Sequence, residues 1–304
     1  MSRTAIVTGG CQGIGYANVL HLLSKGWKVV VANRSEKSWK SVASTFDPDR
    51  TTFIPTDVSS WESQLHMFQE AFKWSGGRID LYLANAGIAD IVSLAPDMDL
   101  SQPPPRPDTS VLDINTTSVI YGVRLFAYFT RLTRKSLQAS NEAVSFHPKM
   151  IVTGSSASLY PYPPCPVYST SKSALEGLVR SVASRLYESD KIALNLLCPG
   201  FVPTAMSPKG LKEAWPPEWI TPVSTVNRGI DELIDLEGKV NQDGKSEGQD
   251  GVIKVGQVIE TARDRVWYRD HIPFADDSQR FCMEQGYTDD GLWQRAFRGE
   301  LPTA

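Results

Sequence analysis

Apolar residues in the first two thirds of the chain follow two alternating patterns. Short β-branched runs such as TAIVT, residues 4–8, are typical of buried strands, whereas YANVLHLL, residues 16–23, has the spacing of a core-facing helix. Strands that alternate with helices in this way predict an α/β fold with a doubly wound parallel sheet and right-handed connections. The predicted strands are 4–8, 27–32, 52–55, 79–83, 149–153, 192–197 and 251–260, and the longer predicted helices are 16–23, 59–72, 109–137 and 168–187.

The same pattern predicts how the chain is divided. Residues 1–261 are expected to form a single domain, with a proline-rich loop at 96–108. From about 205 to 250 the pattern gives way to Pro, Trp, charged and Gly-rich stretches, which we interpret as an extended substrate loop at the surface. The C-terminal segment, 262–304, carries seven aromatic residues, too many for a disordered tail. We expect this extension to pack on the domain or on a partner subunit.

Composition narrows the classes of function. The 304 residues include 31 Lys and Arg and 34 Asp and Glu, which gives a formal charge of −3. With no dense basic tract, nucleic acid is not an expected partner. No apolar run reaches the roughly 18 residues that a membrane-spanning helix needs, and the N-terminal residues lack the apolar core of a signal peptide. We therefore expect a cytoplasmic protein that does not associate with membranes.

Cysteine and histidine positions give no sign of a metal site. The spacing of neither residue type matches a zinc motif, and the cysteines form no CxxC pair or disulfide framework. Reduced thiols and no bound metal are therefore expected. The residues are Cys11, Cys165, Cys198 and Cys282, with His21, His66, His147 and His271.

A glycine-rich turn, TGGCQGIG at residues 8–15, joins the first predicted strand to the first predicted helix. Glycines there let the backbone approach a pyrophosphate, which the free N–H groups and the positive end of the helix dipole stabilise. The alternative is a tight turn without a ligand. Three residues separate Gly9 from Gly13, a spacing that differs from the GxGxxG fingerprint.

Tyr168 and Lys172 lie four residues apart near the start of a predicted helix, so both side chains point to the same face. A cation beside a phenol favours the phenolate and lowers the phenol pKa. The pair can then act as an acid and base at neutral pH. Taken alone, the same spacing also fits an exposed pair without a function.

Six motifs in order resemble the classical short-chain dehydrogenases/reductases, over roughly residues 3–205 and the closing strand. The resemblance implies a Rossmann-type fold and an oxidoreductase that interconverts a secondary alcohol and a ketone with a nicotinamide cofactor. The stretches 113–122, 154–158, 166–172 and 194–206 are most similar to the 15-hydroxyprostaglandin dehydrogenase-like branch. The motifs are the TGGCQGIG turn, Asn85-Ala86-Gly87, Asn115, Ser156, Tyr168 with Lys172, and Pro199-Gly200.

The resemblance assigns catalytic roles to four residues. Tyr168 would exchange a proton with the substrate oxygen, while Lys172 would hold the nicotinamide ribose hydroxyls and depress the Tyr168 pKa. Asn115 would hold a water that relays protons through Lys172. Ser156 would hydrogen-bond the substrate oxygen, with Ser155 as the alternative, because the spacing to Tyr168 is one residue shorter than in many relatives.

The resemblance also assigns residues to each part of the cofactor. Tyr168 and Lys172 are expected to contact it as well as the substrate. The remaining positions are Gly9, Cys11, Gln12, Gly13, Ile14 and Gly15 at the pyrophosphate, Asp57 and Val58 at the adenine, Asn85 and Gly87 beside the adenosine ribose, and Pro199, Gly200, Val202 and Thr204 at the nicotinamide.

The choice between NADP and NAD depends on the end of the second strand, where an Asp or Glu binds the ribose hydroxyls of NAD. Here the position is Asn33, which is neutral, and Arg34 follows it. An arginine can pair with the 2′-phosphate of NADP. Gln12 argues the other way, since NADP-preferring relatives often carry a basic residue there. The sequence thus favours NADP and leaves NAD open.

The segment 159–165 and the loop after Thr204 predict a bulky hydrophobic substrate. Proline stiffens the first, and the second contributes Met206, Trp215 and Trp219. These aromatics can instead pack against the C-terminal segment or a neighbouring subunit. Two other functions stay open: a nicotinamide-binding protein without dehydrogenase activity that acts as a redox-responsive partner, and reduction of an imine or enone. The resemblance implies a homodimer or homotetramer.

Overall fold

The described residues form one twisted sheet of eight strands in the order β3-β2-β1-β4-β5-β6-β7-β8. A computed structural model describes residues 2–89, 94, 100–138, 146–234, 253–288 and 290–301. Strands β1 to β7 run parallel, and β8 pairs with β7 in the antiparallel direction. The strands are β1 (Thr4–Thr8), β2 (Lys28–Asn33), β3 (Thr51–Pro55), β4 (Leu81–Ala84), β5 (Lys149–Thr153), β6 (Ala193–Pro199), β7 (Val258–Ala262) and β8 (Arg265–Tyr268).

Helices cover both faces of the sheet, which confirms the doubly wound α/β fold. Successive residues of β1 enter different apolar layers: Ile6 packs with Phe68 and Phe126, whereas Val7 packs with Val19 and other side chains of the opposite face. A strand buried on both faces has a nearly continuous apolar run, as TAIVT does. The helices are α1 (Gly13–Ser24), α2 (Glu36–Val42), α3 (Trp61–Trp74), α4 (Ser110–Leu112), α5 (Ser118–Gln138), α6 (Pro166–Asp190), α7 (Leu211–Ala214), α8 (Val223–Ile234), α9 (Asp277–Phe281) and α10 (Leu292–Phe297).

The segment expected to be a substrate loop contains a core helix. Helix α8 buries Val226, Ile230 and Leu233 against the sheet. Their spacing of four and three residues is helical, but the prolines and tryptophans before them hid it in the sequence. The Gly-rich stretch at 237–251 lies outside the described residues.

The compact part of the domain extends past the boundary expected at residue 261. Strand β8 follows a turn at Arg263, whose φ is +55°, and the first compact unit runs through Arg269. Residues 270–304 form a second unit, in which the rings of Tyr287 and Trp293 meet edge to face at 5.7 Å between centroids. The packing partner of the C-terminal extension stays a prediction.

Candidate active site

The loops after four parallel strands meet at one edge of the sheet, because parallel strands place their carboxyl ends together. Thr8 at the end of β1 accepts hydrogen bonds at Oγ1 from the N–H groups of Asn85 (2.9 Å) and Ala86 (3.0 Å). The Asn85 amide donates to the Thr8 carbonyl (3.0 Å), and Thr153 Oγ1 of β5 donates to Asn85 Oδ1 (3.3 Å). These bonds hold the carboxyl ends of β1, β4 and β5 together. The chain order of the strands reverses between β1 and β4, so the bonds lie at the switch point of the sheet.

The glycine-rich turn after β1 is shaped as an anion cradle. Gly9 and Gly13 have positive φ angles of +69° and +54°, which glycine adopts without strain. Helix α1 begins at Gly13, and its N-cap residue Gln12 makes no side-chain capping bond. A Cβ on Gly15 would lie 2.3 Å from the Gly9 carbonyl oxygen and 2.6 Å from Asn85 Nδ2. The open helix terminus and close backbone approach fit the pyrophosphate of a dinucleotide.

The loop after β6 lies against this cradle. The Thr204 methyl carbon is 3.1 Å from the position that a Cβ of Gly13 would take. Gly200 donates its N–H to the Thr261 carbonyl (2.7 Å), and Val202 is buried in the apolar layer that contains α1. The structure thus brings together the glycine turn and the residues expected at the nicotinamide.

The loops after β2 and β3 carry the residues that the sequence predicts for the adenosine. Asn33 ends β2, and Arg34 after it is exposed. Asp57 accepts hydrogen bonds from the Ser59 hydroxyl (2.6 Å) and N–H (3.0 Å). These bonds, together with the charge of Arg34, lower the Asp57 pKa. Arg34 and Asp57 therefore lie close enough to interact, and Val58 is half-buried beside them.

Asn115 lies in a π-helical turn, Asp113–Thr117, where the sequence predicted an unbroken helix over 109–137. Its side chain is buried, accepts the Ile88 N–H (2.9 Å), and donates to the Ile88 carbonyl (2.9 Å) and Ser171 Oγ (3.0 Å). Asn115 thereby ties the loop after β4 to α6. Single π turns inside helices occur frequently at functional sites.

Tyr168 projects from the first turn of α6, which begins at Pro166, and hydrogen-bonds the side chain of Ser155. The sequence prediction selected Ser156 for this position. Ser155 caps a 3-10 turn, its Oγ accepting the Ala157 N–H (3.1 Å), whereas Ser156 is the first residue inside that turn. Ser155 has an extended backbone and Ser156 begins the turn, so the two side chains leave different backbone conformations. The geometry thus favours Ser155, rather than Ser156, as the serine that contacts Tyr168.

Lys172 is buried one helical turn after Tyr168. Its Nζ donates to the Thr153 carbonyl (2.8 Å) and lies 5.8 Å from the centroid of the Tyr168 ring. A Cβ on Gly87 would lie 3.6 Å from this Nζ and 3.1 Å from Asn115 Oδ1. Gly87, Asn115 and Lys172 therefore border one space beside the phenol.

The expectation that Lys172 depresses the Tyr168 pKa is not met in this structure. Burial raises the Tyr168 pKa, and the group that opposes this effect is the Ser155 hydroxyl. Burial also lowers the pKa of Lys172 to about 8. Desolvation is the largest cause of both shifts, and the Lys172 ammonium donates to the Thr153 carbonyl.

Comparison with known proteins identifies the family. A family model for short chain dehydrogenases matches residues 3–214. The chain belongs to the short-chain dehydrogenase family. Short-chain dehydrogenase/reductase prx6 of Penicillium rubens is 32% identical over 284 residues, covering 89% of this chain and 86% of that protein. NADP-dependent dehydrogenase clz5 of Cochliobolus lunatus is 34% identical over 206 residues, covering 66% and 71% of the two chains.

The fold of this short-chain dehydrogenase is also that of solved relatives. The 3-ketoacyl-(acyl-carrier-protein) reductase of Brucella melitensis, complexed with NADH, matches it with a TM-score of 0.67 and 18% identity. The match covers 86% of this chain and 98% of that chain. Membership of the short-chain dehydrogenase family makes the protein an oxidoreductase.

Two buried thiols of the dehydrogenase lie next to the site. Cys198, which sequence reasoning left without a role, accepts hydrogen bonds from the Ser158 side chain and the Ser155 N–H, and burial raises its pKa to about 12. Burial raises the pKa of Cys11, in the glycine turn, to about 11. Both thiols are neutral at physiological pH, which suits packing rather than nucleophilic chemistry. Within the described ranges, no group of three or more His, Cys, Asp or Glu is placed to hold a metal ion.

Aromatic side chains lie in the two segments of the dehydrogenase where the sequence predicts the substrate. The ring of Tyr162 meets that of Tyr168 edge to face, with 6.4 Å between centroids, and Tyr162 is partly exposed. Trp215 packs on Phe201 with 4.3 Å between ring centroids, so it anchors the loop after β6. Trp219 is 55% exposed. In the part of the chain that the structure describes, no helix has both the length and the apolar character needed to cross a membrane.

We expect the Lys172→Met variant to gain stability in a pH-dependent way. The difference between the ordinary lysine pKa of 10.5 and about 8 in the folded enzyme corresponds to a folding cost of roughly 3 kcal/mol. Below pH 8 the Lys172 side chain is charged in both the folded and the unfolded protein, so the full folding cost is present. Between pH 8 and 10.5 the side chain is neutral in the folded protein and still charged in the unfolded protein, so the cost falls to zero as the pH rises through this range. The stability of the variant relative to wild type is therefore greatest below pH 8.

Urea unfolding of both proteins at pH 7 and pH 10 measures this change. The hydrogen bond to Thr153 is lost from the variant at both pH values, whereas the desolvation cost is relieved at pH 7 alone. Equal differences in unfolding free energy at the two pH values would show that Lys172 is not desolvated in the folded enzyme.

Proposed function

We propose that this dehydrogenase interconverts a ketone and a secondary alcohol on a bulky hydrophobic small molecule. The observation that carries the proposal is the hydrogen bond between Ser155 and the half-buried Tyr168 phenol, with Lys172 one helical turn further on. The glycine cradle beside them fits a nicotinamide dinucleotide, which supplies or accepts the hydride when bound. In this proposal Ser155 holds the substrate oxygen, Tyr168 exchanges its proton with that oxygen, and Lys172 holds the ribose hydroxyls.

The protonation state of Tyr168 supports ketone reduction as the favoured direction. Burial raises the pKa of the phenol, so the phenol keeps its proton at neutral pH. A protonated phenol can act at once as the general acid for the oxygen that becomes an alcohol. Alcohol oxidation requires the phenolate first, so its rate should rise with pH. Asn115 and Lys172 border the space through which a water can replace the proton.

An absorbance assay of NADPH consumption tests the proposed reaction. The purified enzyme is mixed with NADPH and a panel of ketones from acetone to aryl ketones, and the reverse reaction uses the matching alcohols with NADP. We expect turnover that is faster with aryl ketones than with acetone. Turnover of none of these ketones, while NADPH binds, would contradict the proposal.

NADP is the proposed cofactor, because Arg34 follows a neutral Asn33 and lies near Asp57. A relative of this chain, clz5, is named as NADP-dependent. Since a charge-assisted hydrogen bond contributes about 1.5 to 3 kcal/mol, we expect Arg34→Met to weaken NADPH binding by about 10- to 100-fold and to leave NADH binding unchanged. Quenching of tryptophan fluorescence, titrated at one ionic strength, measures both affinities.

Arg50→Met is the matched control for this titration. Arg50 precedes β3 at the opposite edge of the sheet and pairs with Asp47 at 2.6 Å, so its loss should leave both affinities unchanged. If wild type binds NADH more tightly than NADPH, NAD becomes the cofactor and Arg34 has a different role.

The branch of the family, the assembly, the substrate class and the location are also proposed. The stretches around Asn115 and Tyr168 support a place in the 15-hydroxyprostaglandin dehydrogenase-like branch. The exposed side chains of Ile120 and Tyr128 on α5 support assembly into a homodimer or homotetramer through α5 and α6, which light scattering of the purified enzyme tests. Partly exposed aromatic residues near Tyr168 support a hydrophobic substrate. The absence of a signal-peptide pattern in the N-terminal residues supports a cytoplasmic location.

A further inference from the structure

A charged cluster outside the reacting groups contacts the segment 159–165, which lies between Ser155 and Tyr168 and is called the wall below. The Tyr160 hydroxyl donates to Glu260 Oε2 (3.0 Å) and accepts from Arg269 Nη2 (2.9 Å). Arg269 Nε also donates to Glu260 Oε2 (2.7 Å), and its Nη2 contacts the same oxygen. One carboxylate oxygen thus joins Tyr160 to β7, which carries Glu260, and to Arg269, the residue directly after β8.

The position of Glu260 places this cluster next to the turn after β5 that carries Ser155. Glu260 pairs with Cys198 in the register of β6 and β7, and paired residues of neighbouring strands face the same side of a sheet. Cys198 hydrogen-bonds Ser155 and Ser158 on that side. The Glu260 carboxylate is therefore buried next to the base of the site, where it needs charged or hydrogen-bonding partners.

A second contact ties the cluster to the helix that carries the reacting groups. Arg180 of α6 donates from Nη2 to the Arg269 carbonyl (2.9 Å) and pairs with Glu176 at 3.0 Å. The guanidinium of Arg269 and the carboxylate of Glu260 neutralise each other, so the cluster carries no free charge for an anionic ligand. Its contacts therefore hold the wall, the β7–β8 hairpin and α6 together and do not form a site for a charged ligand.

We propose that Tyr160, Glu260 and Arg269 form a clamp that fixes the wall 159–165 and thereby determines how tightly bulky ketones bind. Tyr162 lies two residues after Tyr160 and contacts the Tyr168 ring, so the wall's position sets the space beside the phenol. The clamp residues position the wall and do not take part in proton or hydride transfer. This inference rests on the proposed ketone reduction for its effect on substrates, but the clamp itself is testable without it.

Tyr160→Phe is the most conservative test, because it removes one hydroxyl and keeps the ring. Hydrogen exchange measured by mass spectrometry reports the wall directly, through the N–H groups of Leu159, Tyr160 and Cys165, which bond within the loop. We expect these amides to exchange about tenfold faster in the variant. Unchanged exchange would overturn the clamp, whatever the enzyme's reaction.

Steady-state kinetics with acetophenone and 2-acetylnaphthalene test the consequence for substrates. We expect Tyr160→Phe to raise KM for the larger ketone by about tenfold, with kcat and the NADPH Kd within about twofold of wild type. Arg269→Lys keeps the charge but loses the paired contacts, so it should shift KM in the same direction. Faster exchange with an unchanged KM would overturn the role in substrate binding. If wild type turns over neither ketone in any assay, the proposed function fails while the exchange result still decides the clamp.

Tyr268→Phe is the matched control for both measurements. The Tyr268 hydroxyl donates to Glu232 Oε1 at 2.6 Å, which is the same kind of bond between a tyrosine and a buried glutamate. Tyr268 pairs with Ile259 in the hairpin, so it faces the opposite side of the sheet from Glu260. Its loss should change neither exchange of the wall nor KM, and an equal effect of both variants would show general loosening instead of a clamp.

Discussion

Replacing Tyr168 with Phe is expected to lower kcat for ketone reduction by about 10³-fold, within the range that general acid catalysis contributes. The variant lacks the phenol proton, and Ser155, its hydrogen-bond partner, is too weak an acid to replace it. The benzene ring keeps the packing against Tyr162. We therefore expect the NADPH Kd and the thermal midpoint to stay close to those of wild type.

Fluorescence titration with NADPH and single-turnover kinetics separate binding from chemistry in this variant. Tyr268→Phe again provides the control, since it removes a tyrosine hydroxyl from the other face of the sheet. If Tyr168→Phe kept more than a tenth of the wild-type kcat, the proton donor would have to be another group.

Ser155→Ala is expected to lower kcat/KM by about 10²-fold, whereas Ser156→Ala should change it by less than about threefold. Ser155 hydrogen-bonds Tyr168 and caps the turn that follows β5, so its hydroxyl lies beside the proposed proton donor. Ser156 lies inside that turn. The two variants remove the same hydroxyl from adjacent positions, so each serves as the control for the other.

The pH profile distinguishes a catalytic from a merely structural effect of Ser155. Its hydrogen bond lowers the Tyr168 pKa, which burial raises. Loss of the hydroxyl should therefore raise the upper apparent pKa of the ketone-reduction profile. A larger effect of Ser156→Ala, or an unchanged profile in Ser155→Ala, would reverse the assignment.

The fold could be predicted because its strongest signals are local. Runs such as residues 4–8 and 149–153 are buried on both faces of the sheet, and both strands have the predicted bounds. Strand β8 had no comparable signal, since RVWY at its position is short and only Val266 is fully buried. Helix α8 was missed because the irregular composition before it outweighed its helical apolar spacing.

The candidate site could be predicted at positions where the local geometry admits only one type of residue. Gly15 must lack a Cβ because the Gly9 carbonyl lies 2.3 Å from where that atom would be, and a glycine after a predicted strand indicates such a close approach before the structure is known. The choice between adjacent serines depends on which one caps a three-residue turn, and no periodicity reveals that. The balance between burial and charge at Tyr168 and Lys172 likewise depends on neighbours far apart in the chain.

Transfer of deuterium from NADPH labelled at the nicotinamide C4 position tests the central claim most directly. The enzyme is incubated with each C4 epimer of the labelled cofactor and the same panel of aryl ketones, and the alcohol products are analysed by mass spectrometry. We predict that one epimer alone delivers deuterium to the carbinol carbon, and that Tyr168→Phe slows the transfer by about 10³-fold. NADPH binding without deuterium in any alcohol would contradict the account and indicate a protein that binds the cofactor without reducing ketones.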